Sequence, residues 1–69
     1  MPKMMPVRSS NIAAVGFEDG TLYVEFSNGG TYAVSGSSEA ELQDILDSPS
    51  PGSYYHRNIK QAGRSVRRV

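Results

Sequence analysis

The chain contains no cysteine and no tryptophan, and its one histidine is His56. Without cysteine there is neither a disulfide nor a thiolate metal site. A single imidazole also leaves a four-coordinate zinc site short of the ligands it normally draws on, so neither metal nor cofactor is expected. No apolar run approaches the ~20 residues of a membrane span. The segment Met1–Arg8, with a lone Lys3 and no sustained apolar stretch, does not read as a signal peptide. These absences predict a cytoplasmic protein with no membrane partner. Catalytic signatures are missing too. There is no Gly-x-Ser-x-Gly elbow and no clustered ligand set, and His56 has no evident nucleophile to serve. The expectation is a protein that is not an enzyme and has no catalytic residues. At 69 residues it forms one small domain. A chain of this size buries only ~60% of its unfolded surface and is stable by a few kcal/mol.

Acidic residues are absent from the whole stretch after Asp47, whereas Arg57, Lys60, Arg64, Arg67 and Arg68 all lie within it. Residues 1–48 carry a net −5 and residues 49–69 a net +5, so the overall charge of zero conceals a dipolar molecule. Tyr54, Tyr55 and His56 stand beside the positive pole. Such an asymmetry suggests an anionic partner, nucleic acid first among them.

Period-two patterning begins at Asn11 and puts Ala13, Val15 and Phe17 on one face. Asp19-Gly20 supplies the positive φ angles of a two-residue type I′ turn, which pairs Phe17 with Leu22, Val15 with Val24 and Ala13 with Phe26. At Asn28-Gly29-Gly30 a three-residue loop pairs Phe26 with Tyr32 and Val24 with Val34, keeping all four on the apolar face. A slip of one residue would turn the strand over. Strands are predicted at 11–18, 21–27 and 31–35. Ser38-Glu39-Ala40-Glu41 reads as a capping box, and Leu42, Ile45 and Leu46 give the following helix, 39–47, one apolar stripe. Pro49 ends it. A second short helix is predicted at 53–61, with Tyr55 and Ile59 inward and Gly63 as its stop. The predicted fold is α+β: a three-stranded antiparallel meander with two short helices packed on one face. Residues 1–8 read as a flexible arm, 9–63 as the folded domain and 64–69 as a loosely held basic tail.

The order of these motifs resembles the KTSC domain, a module found at the C-terminus of some lysyl-tRNA synthetases and alone in small bacterial and phage proteins. The resemblance rests on Ser9-Ser10-Asn11-Ile12, Val15-Gly16-Phe17, Leu22-Tyr23-Val24-Glu25-Phe26 and Asn28-Gly29-Gly30-Thr31-Tyr32. Gly52, Tyr54, Tyr55 and Ile59 continue it. Two positions depart from the family pattern. Its central tyrosine–any–tyrosine motif stands here as Tyr32-Ala33-Val34, and His56 replaces the asparagine that follows the aromatic pair. The resemblance implies a fold and, through its association with synthetases, RNA as a partner.

Each candidate site residue has two readings. Tyr32 is either a stacking surface for a base or a core residue against Phe26, and burial favours the core. Tyr23 shares the opposite face with Glu25 and Ala33, where the carboxylate would repel phosphate. Ser35-Gly36-Ser37-Ser38 resembles a phosphate cradle in composition, but Glu39 and Glu41 in the same turn exclude an anion. The start of the second helix, Gly52-Ser53, has no acid beside it and is the better anion site. Arg57 and Lys60 lie one and two turns on. They either face an anion or pair with Glu41, Asp44 or Asp47 at ~0–1 kcal/mol each. Arg64, Arg67 and Arg68 form either an electrostatic clamp or a solubility tail. The leading expectation is a nucleic-acid-binding module, RNA preferred, with Arg57, Lys60, Arg64, Arg67 and Arg68 on phosphates and Tyr54 with His56 on a base. The alternative is an adaptor whose basic end docks on an acidic protein.

Overall fold

Alternating apolar residues become strands in the computed structural model, which describes residues 2–69. Strands β1 (Met5–Pro6), β2 (Ile12–Glu18), β3 (Thr21–Phe26), β4 (Thr31–Val34) and β5 (Val66–Arg68) lie side by side in chain order in one antiparallel sheet. Helix α1 (Glu39–Asp47) follows β4, and α2 (Pro51–Tyr55) runs on into a π-helical turn, His56–Lys60, before β5. The α+β class is as expected, but the sheet has five strands rather than three. The segment read as a flexible arm supplies β1, and the segment read as a loose tail supplies β5. Runs of two and three residues show no period of their own. They are recruited by the open edges of β2 and β4, whose backbone groups would otherwise have only water as partners. Pro6, which has no N–H to donate, sits on an edge strand where that lack is tolerated.

The first hairpin turn is as expected, with Asp19 and Gly20 both at positive φ (50° and 75°). It sets Phe17 opposite Leu22 and Val15 opposite Val24. Beyond Ala14 the register corrects the sequence reading. A β-bulge at Ala13 pairs Phe26 with Ile12, which is fully buried. In the second hairpin the loop does have three residues, but they are Ser27–Gly29, one position earlier than expected. Val24 therefore pairs with Tyr32 and Leu22 with Val34. The cause is local: Asn28 Oδ1 accepts the Gly30 N–H (3.1 Å) and Phe26 O accepts the Gly29 N–H (2.9 Å), closing the turn around Asn28. The slip is two residues, so the apolar face is preserved.

That face meets Leu42 and Ile45 of α1, Tyr55 of α2 and Ile59 of the π turn, forming one core with Ile12, Val15, Leu22, Val24 and Val34. On the opposite face the N-terminal residues cross Gly16. A Cβ there would lie 2.9 Å from both the Lys3 carbonyl oxygen and the Met4 sulfur, so the glycine is what admits the crossing chain.

Ser38 caps α1, its Oγ accepting the Glu41 N–H at 3.4 Å. The expected box is only half formed, because the Glu41 carboxylate accepts from Ser37 Oγ and from Arg64 instead of returning to the Ser38 amide. A cap bond this long stabilises weakly. Ser38→Ala should lower the unfolding free energy by about 0.5 kcal/mol, the low end for N-caps, as read from urea midpoints. A loss above about 2 kcal/mol would mean that the hydroxyl has a second role.

The second helix begins earlier than expected, at Pro51, whose fixed φ and missing N–H suit a first helical position. The π turn is registered by Gln61 N–H donating to His56 O (2.9 Å). Gly63 (φ 71°) then closes a Schellman motif, with Arg64 N–H to Ile59 O (3.1 Å) and Gly63 N–H to Lys60 O (3.2 Å). This stop reverses the chain and delivers it to the β4 edge as β5.

Candidate nucleic-acid interface

Asn11 and Asn28 are far apart in sequence but meet at one end of the sheet. Ser9 Oγ accepts the amide protons of Asn11 and Ile12 (3.1 and 3.2 Å), which fixes the entry into β2. The Asn11 carbonyl accepts the Ser27 N–H at 2.7 Å, tying that entry to the loop that carries Asn28. Gly52 lies directly beneath the Asn11 side chain, whose Nδ2 is 3.4 Å from where a Cβ at Gly52 would sit. Between these loops and the second helix opens a cleft of about 390 Å³.

Three rings form its floor. Phe26 meets Tyr55 edge to face at 5.1 Å and Tyr32 edge to face at 5.6 Å. His56 and Lys60 line the helix side and Val66 the β5 side. Arg68 is opposite Tyr32 in the ladder and so shares its face of the sheet. A neighbouring depression, reached over Asn11 and Gly52, is lined by Ser53, His56 and Arg57. A third, on the same two residues, adds Arg8. No aspartate or glutamate lines any of the three.

The carboxylates that might have neutralised these cations are occupied elsewhere. Glu41 is held by Arg64, with Nη1 to Oε2 at 2.7 Å and Nη2 to Oε1 at 3.0 Å. This guanidinium beside it, reinforced by the Ser37 hydroxyl, holds the Glu41 carboxyl below its ordinary pKa. Arg64 also donates to the Gly36 carbonyl at 3.3 Å, so it locks the β4–α1 loop to the chain entering β5. Asp44 accepts from Tyr54 Oη at 3.3 Å and Asp47 from Gln43 Nε2 at 3.1 Å. Among the described residues Arg64–Glu41 is the one ion pair, and Arg57, Lys60, Arg67 and Arg68 form none.

The structure therefore divides the expected site. Gly52, Ser53, His56, Arg57 and Lys60 gather around the cleft, with Arg68 at its β5 side. Arg64 is withdrawn into an ion pair. Arg67 lies opposite Ala33, on the other face of the sheet. Tyr54 turns toward α1, where burial and the nearby Asp44 charge raise its phenol pKa. The aromatic residues that line the cleft are instead Phe26, Tyr32 and Tyr55. The ring of Tyr32 packs on Phe26, as its core reading expected, yet is only half-buried and borders the cleft. Sequence reasoning missed Asn11, Asn28, Phe26 and Arg8. The signal available for Asn11 and Asn28 was a polar amide beside each turn, which reads equally well as turn chemistry.

Fold and cleft define a small α+β domain: a five-stranded antiparallel meander with two short helices over one face and a basic, ring-floored groove at one end. The chain belongs to the KTSC domain family, whose model matches residues 8–62. Its fold is similar to that of a KTSC domain protein from Yersinia pestis known from a crystal structure. The TM-score is 0.85 at 25% sequence identity, covering 100% of this chain and 99% of that one. Among curated proteins none matches the chain significantly. No helix among the described residues is long and apolar enough to cross a membrane.

Proposed function

We propose that the chain is a single-stranded nucleic-acid-binding module, RNA preferred, that acts by binding alone in the cytoplasm. One observation carries the reading: an acid-free cleft lined by Phe26, Tyr32 and Tyr55 has the unpaired Lys60 on its wall, with unpaired Arg57 in the neighbouring depression and Arg68 opposite Tyr32 in the ladder. A basic rim alone would serve an acidic protein equally well. The half-buried ring of Tyr32 beside those cations favours a base, because every base has a π-face to stack on it.

The test is a fluorescence titration with a short single-stranded RNA at several salt concentrations. With Arg57, Lys60 and Arg68 on about three phosphates, log K should fall with log salt at a slope of roughly −2, from ~0.7 per contact. Replacing Lys60 and Arg68 together by Gln should bring the slope to roughly −0.7. Tyr32→Leu should weaken binding by ~1–3 kcal/mol at unchanged slope, since stacking releases few ions. Tyr54→Phe, on the far side of the helix, should change neither. Binding of an acidic peptide but of no RNA at low salt would favour the adaptor reading.

A further inference from the structure

Two side-chain amides border the cleft, and each is oriented through its oxygen. Asn28 Oδ1 is used by the Gly30 N–H and Asn11 Oδ1 by the Ser10 hydroxyl (2.9 Å), which leaves both amide nitrogens with protons to donate. Lys60 has only donors. The same site therefore offers a ligand an apolar, ring-walled slot with donors at its mouth.

Resting on the nucleic-acid reading above, we infer that the cleft takes one unstacked base and selects a carbonyl edge over an amino edge, the amides of Asn11 and Asn28 donating to the base oxygen. Uracil and guanine present a carbonyl oxygen where cytosine and adenine present an amino group. An amino group would face these donors N–H to N–H. One partner would then be left unsatisfied in a partly dehydrated slot, which is the costly half of hydrogen-bond selectivity.

The experiment compares oligonucleotides of equal length and charge that differ only at that edge: oligouridine against oligocytidine, and inosine against adenosine placed singly in an oligouridine-free abasic background. Each is titrated at one fixed salt concentration. The carbonyl member of each pair should bind about five- to tenfold more tightly, the low end for a good base-edge contact because the cleft is open on one side. Asn11→Ala, at an exposed position whose loss leaves the core intact, should collapse the uridine–cytidine ratio toward one while the salt slope stays the same. Equal binding of all four oligonucleotides would overturn the inference and leave the nucleic-acid reading standing. No binding by any of them would remove both. A preference for cytidine and adenosine would mean that acceptors, not donors, face the base.

Discussion

Ile59→Ala should leave most of the protein unfolded at room temperature. Ile59 is fully buried at the centre of the core, in the π turn that carries Lys60 toward the cleft. Removing three carbons from such a site costs ~2–5 kcal/mol, from lost transfer energy plus the cavity left behind. A domain of this size without disulfides is stable by only a few kcal/mol. The measurement is a urea titration followed by circular dichroism, with Ile59→Val as the companion. Valine should cost about 0.5–1.5 kcal/mol and remain folded. A melting transition for the alanine variant within about 0.5 kcal/mol of the parent would place Ile59 outside the core.

The second large effect is expected at the Arg64–Glu41 pair, and its dependence on pH identifies it. Both side chains are mostly sheltered, the contact is bidentate, and Arg64 also reaches the Gly36 carbonyl. Arg64→Gln should therefore cost ~1–2 kcal/mol at neutral pH, more than an exposed pair contributes. The Glu41 pKa is lowered in the folded state, chiefly by the guanidinium. The stability it contributes is thus complete above the ordinary glutamate pKa of about 4.3 and is lost as the pH falls through the folded value. Parent and variant should differ clearly at pH 7 and converge as the pH falls below the ordinary glutamate range and through the lowered folded value. A gap that stays constant across that range would mean that Arg64 acts through packing alone.

The parts of this fold that were legible in the sequence are those fixed by local chemistry. Asp19-Gly20 dictated its turn, Ser38 its helix start and Gly63 its helix stop, and each is where nearest-neighbour stereochemistry puts it. The two short strands were not legible, because Met5–Pro6 and Val66–Arg68 become strands only when an edge accepts them. The same limit hid the slip at Asn28 and the bulge at Ala13, where alternative registers preserve the apolar face or differ by one small residue. Charge asymmetry pointed to the end of the molecule where Arg57 and Lys60 gather around the cleft. It did not show that Arg64 is consumed by Glu41 or that Tyr54 turns toward Asp44, because α1 and the chain after Gly63 are brought together only by the fold. The cleft has the most distributed origin of all, since its lining comes from Asn11, Phe26, Asn28, Tyr32, Tyr55 and Lys60 on five separate segments.

Chemical-shift mapping of the labelled protein during titration with a short single-stranded RNA at low salt tests the central claim most directly. Shifts are expected at the backbone of Asn11, Asn28 and Tyr32, at the His56 ring, and along Lys60 and Arg68. The face of α1 that carries Asp44 and Asp47 should stay still. Shifts confined to α1 or to the Arg67 face of the sheet, or none at any RNA concentration, would contradict the cleft as the binding site.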